Sequence, residues 1–341
     1  MLQGMSEGMN NANTGVRAYV NVIGRSPAMM NLYELIDRVA PTEAGVLLTG
    51  ESGVGKELIA EAIHQSSRRA TGPMIAVNCG SIPATLIEAE LFGYEKGSFT
   101  GATRSHAGVF ERANGGTLLL DEITEMPVDM QTRLLRVLET GRFYRVGGSH
   151  EIETDIRVIA ATNRDIGAAV RARHLREDIM YRLAVFPVRV PPLRERGEDR
   201  LLLAEEFLMR LNRKEGASKS LSPQSIAALW AHDWPGNVRE LKNTIERAFI
   251  LSDGVLELSE AVMRQVSPLD TLGMSRESAG EGGIHVPLGS RLDEAERSLI
   301  EATLHHFDGN KRRTAETLGC SLKTLYNKLH TYARQSSSIP A

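Results

Sequence analysis

What the chain lacks is informative. Only two of its 341 residues are cysteine, Cys79 and Cys320. They lie far apart without metal-ligand spacing, so no disulfide framework is implied and a reducing cytoplasm is expected. No apolar run reaches the ~20 residues that a membrane-spanning helix needs, and no basic segment followed by an apolar one opens the chain. Positive charge is not in excess: 40 Lys and Arg against 43 Asp and Glu give a formal net charge of -3. That balance excludes a globally basic nucleic-acid coat but leaves room for a local patch. No internal repeat is present. Length and composition fit a soluble globular protein of two or three domains with a sizeable core.

Against this background one segment stands out. A glycine-rich turn, Gly50-Glu51-Ser52-Gly53-Val54-Gly55-Lys56, follows the apolar run Val46-Leu47-Leu48-Thr49 and opens a helical pattern from Glu57 to Ser66. Strand, glycine loop and helix in that order make a phosphate-cradling P-loop. The glycines let successive N–H groups converge on an anion, the helix N-terminus adds positive potential, and Lys56 supplies a charge for the terminal phosphates. Glu57 stands where Ser or Thr usually ligates Mg2+, so a metal must lean on another carboxylate. The chain is expected to bind a nucleoside triphosphate.

Residues 1–21 are rich in Asn, Gly and Met without periodicity and read as a disordered leader. A helix is predicted from Ser26 to Val39, with Ser26-Pro27 as cap and first position. Strands are predicted at Val46-Thr49, Met74-Asn78, Thr117-Leu120 and Arg157-Ala161, alternating with helices to about Val190. That alternation argues for an α/β fold with a parallel sheet covered on both faces. After Pro191-Pro192 the pattern is helical only, at about Leu201 to Arg213, Pro223 to Ala231, Val238 to Leu251 and Ser259 to Arg264. Trp234-Pro235-Gly236-Asn237 breaks that run and is expected to cap the helix after it. Residues 266–287 read as a linker, and three helical patterns fill 288–335.

A second nucleotide signal is Gly115-Gly116-Thr117-Leu118-Leu119-Leu120-Asp121-Glu122, an apolar strand with two carboxylates at its C-terminal end. Open parallel sheets place ligands there. After a P-loop at this distance, Asp121 can hold Mg2+ and Glu122 can polarise the water that attacks the γ-phosphoryl group.

These segments, with FGYEKGSFTGA at 92–102, RVIAATNRD at 157–165, PPLRERGED at 191–199 and WPGNVREL at 234–241, resemble those of the bacterial enhancer-binding proteins. These are the NtrC-type AAA+ activators of sigma-54 RNA polymerase, and the resemblance runs from about Val22 to the C-terminus. It implies an AAA+ α/β subdomain at 22–190, a helical lid at 191–265 and an all-α Fis-type helix-turn-helix domain at 288–335, followed by a tail at 336–341. ATP and Mg2+ are the implied cofactors. Asn78 matches the asparagine that holds the catalytic glutamate in a nucleotide-dependent switch. Thr162 and Asn163 match sensor I and Arg239 sensor II, while Arg176 and Arg182 match the arginine fingers. A guanidinium suits that last role because it stays charged and bridges phosphate oxygens. Fingers acting in trans imply a ring, most naturally a hexamer.

Gly97-Ser98-Phe99-Thr100-Gly101-Ala102 resembles the loop by which this family engages sigma-54, with Ser98 in place of the usual Ala. Its glycines permit a tight mobile turn, Phe99 is expected at the tip, and the Ser98 hydroxyl is expected to add a local hydrogen bond. Arg142 to Gly148 reads as a hairpin and resembles the family's second surface loop.

Between Lys311 and Arg334 lie six basic residues and one acidic one, a local charge of +5. Helix, glycine turn and helix follow at helix-turn-helix spacing. Lys311, Arg312, Arg313, Lys323, Thr324, Asn327 and Lys328 are the expected DNA contacts, and the helix from about Leu292 to Phe307 the expected support.

The reading is a DNA-binding activator whose partners are sigma-54 RNA polymerase holoenzyme, upstream enhancer DNA and its own copies. The stretch before Val22 is too short for a sensory domain, so control is expected from a separate inhibitory partner, from expression level or from a homologue forming mixed rings, and the sequence does not choose among these. Two rivals stay open at this level. One is a related regulator working with other sigma factors, and the other an ATP-driven remodelling enzyme or helicase loader without promoter specificity.

Overall fold

The computed structural model describes Tyr19 and residues 22–258, 292–307 and 309–336. These fall into two compact units, residues 1–264 and 265–341. The predicted leader, the helix from Ser259 to Arg264, the linker and the tail lie outside the described residues, except for Tyr19 and Ser336. Tyr19 departs from the leader reading. It is buried, and its hydroxyl donates to Asp37 Oδ1 at 2.7 Å.

In the first unit the strands are β1 (Val46–Thr49), β2 (Met74–Asn78), β3 (Thr117–Asp121), β4 (Arg142–Tyr144), β5 (Glu151–Glu153), β6 (Arg157–Thr162) and β7 (Phe186–Arg189). Between them run α2 (Lys56–Gln65), α3 (Ile87–Phe92), α4 (Val109–Arg112), α5 (Val128–Thr140), α6 (Ile166–Arg171) and α7 (Glu177–Leu183). Five of them form a parallel sheet in the order β2-β3-β6-β1-β7, and β4 pairs antiparallel with β5 as the expected hairpin. β3 and β6 are buried almost throughout, as strands covered on both faces must be. Their alternation divides two cores. Leu118, Leu120, Val158 and Ala160 face Phe92, Phe110 and Leu134 on one side. Leu119, Ile159 and Ala161 meet Ile36, Ile59 and Ile63 on the other.

Helix α1 (Pro27–Val39) starts as predicted: Ser26 accepts the Met29 N–H and proline takes the first turn. Its buried stripe, Met29, Leu32, Tyr33, Ile36 and Val39, repeats at helical spacing. The helix ends over a buried cation. Arg157, at the start of β6, donates to the carbonyls of Val39, Ala40 and Ala44 at 2.8, 2.6 and 3.3 Å. Helix C-terminal carbonyls are a natural seat for positive charge.

Strand β7 is absent from the sequence reading because Pro187 interrupts its pattern. Proline is tolerated there because β7 is the sheet's edge, paired only with β1.

The remainder of the first unit holds α8 (Asp199–Glu215), α9 (Pro223–Ala231) and α10 (Asn237–Leu251), close to prediction. The expectation of helices only is corrected by a short parallel pair, β8 (Ser220–Leu221) with β9 (Val255–Leu256), too brief to leave a period in the sequence. The core of this subdomain gathers on Trp234, fully buried with its indole N–H on the Leu229 carbonyl at 3.0 Å. Asn237 does not cap α10 with its side chain; the Glu240 carboxylate accepts the Gly236 N–H instead, at 2.7 Å.

The second unit contains α11 (Leu292–His306), α12 (Lys311–Thr317) and α13 (Leu322–Ser336). Ile300, Ala315 and Leu325 make its small core, with Leu318 and Leu329 packed against it.

Candidate functional site

Strands β1, β2, β3 and β6 all end on one edge of the sheet, and the sequence places polar residues at each of those ends. From β1 the chain turns sharply through Gly53 at φ +79° and Gly55 at φ +98° into α2 (Lys56–Gln65). Only glycine enters that region without strain. The unpaired N–H groups at the start of α2 are then free to face an anion. Lys56 is buried, with its Nζ donating to the carbonyls of Gly50 and Glu51 at 2.9 and 3.2 Å. Burial pushes its ammonium below the ordinary lysine value, while Asp121 and Glu122 pull the other way. Glu57 is exposed on the first turn of α2.

Asp121 ends β3 and Glu122 leaves it through a left-handed turn at φ 55°. Asp121 Oδ1 accepts the Glu122 N–H at 3.0 Å. Asn78 pairs in register with Asp121, and its amide accordingly donates to Asp121 Oδ2 at 3.3 Å rather than to Glu122. Its carbonyl oxygen accepts from Gly80 and Ser81, each at 3.0 Å. Thr162, at the end of β6, is buried and shares a 3.0 Å bond with Thr124, two residues past Glu122. Asn163 beside it is exposed. No group of three or more metal-ligating side chains forms among the described residues. Asp121 alone fits Mg2+ chemistry, which typically takes one or two carboxylates plus substrate phosphates and waters.

The P-loop after β1 and the end of β3 open on a cleft of about 640 Å3, which Asn78, Thr162 and Asn163 do not line. Its polar end carries Lys56, Asp121, Glu122 and Arg239, and Val22, Ile23, Leu203, Phe207 and Val238 line its apolar part. Arg239, on α10, reaches Ser52 Oγ at 3.1 Å through Nη1, and its backbone N–H donates to the Gly53 carbonyl at 3.2 Å. Three residues that the sequence reading did not place at this site also touch the loop. Arg194 holds the Glu51 carboxylate in a fork at 2.8 and 2.5 Å, and Asn237 adds a third donor at 3.1 Å. Buried Arg196 donates to the Val54 carbonyl at 2.8 Å. Their only sequence signal is their place inside the segments PPLRERGED and WPGNVREL.

Arg176 and Arg182 do not line this cleft. Arg176, just ahead of α7 (Glu177–Leu183), forks onto Asp178 at 3.0 and 2.7 Å, and Arg182 donates to the Leu138 carbonyl. Tyr181 and Val185, beside Arg182 in the chain, are 68% and 59% exposed.

In the loop at 97–102, Gly97 and Gly101 sit at φ +85° and +109°, and the Gly97 N–H closes on the Ala102 carbonyl at 2.8 Å. Phe99 is 42% exposed and lies edge-on against Tyr94, ring centroids 5.0 Å apart. The stem of this loop is bonded to the hairpin segment: Glu95 N–H donates to the Val146 carbonyl at 3.0 Å, and Val146 N–H to that of Gly93 at 2.9 Å. A Cβ on Gly147 would lie 2.7 Å from the Ser98 Cβ. The expected hydrogen bond of Ser98 is not made. Its hydroxyl is buried against this seam without a partner.

In the second unit, Asn310 caps α12 by accepting the Arg313 N–H at 3.2 Å. Arg312, Arg313, Lys323, Thr324 and Asn327 are exposed. Lys311 is half-buried with its Nζ 4.6 Å from the Tyr326 ring centroid, and Thr324 shares a 2.7 Å bond with Ser321. Lys328, an expected DNA contact, is instead partly covered along its side chain, and its ammonium pairs with Glu296 on α11.

Comparison with known proteins bears on both units. Residues 22–189 match the sigma-54 interaction domain, 194–267 the AAA+ ATPase lid domain and 291–332 the bacterial regulatory protein Fis family. The chain is 44% identical over 327 residues to the transcriptional regulatory protein FlbD of Caulobacter vibrioides, covering 94% of this chain and 72% of that one. It is 45% identical over 326 residues to the regulatory protein AtoC of Escherichia coli, covering 94% and 69%. The crystal structure of NtrX from Brucella abortus in complex with ATP superposes with a TM-score of 0.66 at 36% identity, covering 91% of this chain and 69% of that one.

Proposed function

The chain belongs to the sigma-54 activator family, with an AAA+ ATPase domain and a Fis-type DNA-binding domain, and from that premise we propose that it remodels promoter-bound polymerase. In this reading it binds upstream enhancer DNA through residues 288–335. It uses ATP hydrolysis in residues 22–265 to convert the closed sigma-54 RNA polymerase complex into an open one. The observation that carries the reading is the single cleft joining Lys56, Asp121, Glu122 and Arg239 at one strand edge.

The chemistry follows from the residues. The N–H groups of residues 50–57 and the Lys56 ammonium bind the triphosphate, and the apolar part of the cleft takes the base. NtrX complexes with ATP and with ADP support nucleotide binding. Glu122 orients the attacking water and takes up its proton. Asp121 is the residue that would hold Mg2+, which would supply positive charge to offset the charge developing on the phosphates. Arg239 brings the lid onto the phosphates, and Thr162 braces the strand end through Thr124. Asn78, bonded to Asp121, links β2 to the catalytic strand end and so relays nucleotide state toward the loops.

Arg176 and Arg182 act on a neighbouring copy's cleft, which makes the working form a ring, taken to be a hexamer. Their position outside their own cleft and the exposed Tyr181 and Val185 beside them support this. Phe99 meets sigma-54. The protein works in the cytoplasm.

The test is Phe99→Ala in the full chain. Turnover of ATP should stay within about twofold, since Phe99 touches no phosphate-binding residue, while open-complex formation on a sigma-54 promoter is lost. Normal open-complex yield from that variant refutes the reading.

A further inference from the structure

The P-loop is gripped from the lid side along four successive residues. Glu51 gives its carboxylate to Arg194 and Asn237. The Ser52 carbonyl accepts from Asn237 Nδ2 at 3.1 Å. Gly53 accepts from the Arg239 N–H, and Val54 from Arg196. Asn237 is the hub. It is fully buried at φ 53°, its Oδ1 accepts the Leu193 N–H at 2.8 Å, and it thereby ties the turn carrying Arg194 to the start of α10. The Glu51 carbonyl faces the other way and accepts from Lys56. One P-loop residue therefore touches the lid with its side chain and the phosphate-binding lysine with its backbone.

We propose that Glu51, Arg194 and Asn237 form a positioning latch that sets the lid's posture over the triphosphate and holds Lys56 and Arg239 in register with each other. It is a second link between lid and phosphates, separate from Arg239, and it rests on the reading of this cleft as an ATPase site. None of the three side chains needs to touch nucleotide for this. A carboxylate with three donors holds its geometry firmly. Arg194 and Asn237 keep the Glu51 carboxyl down at about 2, so the latch stays charged at any working pH. Because the latch orients groups rather than supplying them, its loss falls on the chemical step more than on binding.

The experiment is a set of full-chain variants assayed for ATP turnover under assembling conditions: Arg194→Gln, Arg194→Lys, Asn237→Ala, Glu51→Gln, the pair Glu51→Gln with Arg194→Gln, and Arg239→Ala. Arg194→Gln should lower kcat about tenfold with KM changed less than about threefold, the signature of an interaction that matters in the transition state. Arg194→Lys, keeping charge but losing the fork, should fall between. The Glu51–Arg194 pair should be no worse than either single change, since partners in one contact do not add. Wild-type kcat in Arg194→Gln, or strictly additive losses in the pair, overturns the latch. Should Asn237→Ala fail to fold, the Arg194 and Glu51 variants decide the matter. Arg239→Ala reports on the parallel link alone. Absence of turnover in the parent chain defeats the ATPase-site reading, whereas parent turnover alongside wild-type kcat in Arg194→Gln defeats only the latch.

Discussion

Gly53 is the position where a single methyl group should do most harm. Its backbone lies at φ +79°, a region that costs an L-residue ~1–2 kcal/mol. An added Cβ would also sit 2.3 Å from the Gly236 carbonyl oxygen and 3.1 Å from the Arg239 Cβ. Comfortable contact begins near ~3.5 Å, so loop and lid must part by about 1 Å. That displacement breaks the bond from the Arg239 N–H to the Gly53 carbonyl, worth ~0.5–1.5 kcal/mol. The Gly53→Ala variant should therefore lose about 2–3 kcal/mol, lowering the thermal midpoint by roughly 4–12 °C for a unit of this size. The functional cost is larger in proportion, because an error of ~1 Å in a catalytic group is worth about a hundredfold in rate. Scanning calorimetry and steady-state turnover at saturating ATP measure the two. Gly216→Ala is the control: it sits at φ +64° with nothing within 4 Å of the added atom, so it carries the backbone cost alone. A Gly53→Ala protein turning over within about threefold of the parent, or shifted no more than the Gly216 control, refutes the steric argument.

Two further outcomes follow from single groups. Ser98→Ala removes a buried hydroxyl that has no partner, so it should stabilise the seam by about 1 kcal/mol and slow amide exchange at residues 97–102 and 146–148 roughly fivefold; faster exchange contradicts this. Burial holds the Lys56 pKa below its ordinary value, so its proton leaves earlier than a free lysine's as pH rises, and ATP affinity weakens through that range. Phosphate restores the proton, so calorimetric ATP binding at alkaline pH should show proton uptake when buffers of different ionisation enthalpy are compared; no buffer dependence counts against a buried Lys56 facing phosphate.

The P-loop was legible because its determinants are local: apolar strand, glycines where the backbone turns left-handed, then a helix. Asp121 and Glu122 were legible for the same reason, as polar residues ending a buried strand. Where strand register decides the contact, sequence reasoning slipped. Asn78 lies beside Asp121 because β2 and β3 align those two positions, and no pattern within either strand says so. The grip on Glu51 was hidden by distance, since Arg194 and Asn237 are 143 and 186 residues further along. Strand β7 was masked by Pro187, and β8 with β9 by their length. Lys328 reads as a DNA contact from its own helix, and only the approach of α13 to α11 puts Glu296 within its reach.

Pro187 has a consequence for how copies can meet. The Phe186 N–H points inward to the Gly45 carbonyl, so the next backbone nitrogen faces away from the sheet, and there proline has no hydrogen to offer. A foreign strand arriving at that border would find a missing rung and gain little by aligning. Crowded subunits are thus steered away from zipping their sheets together. In the proposed ring, assembly would then fall to side-chain surfaces, which can slide and re-form as each copy changes state.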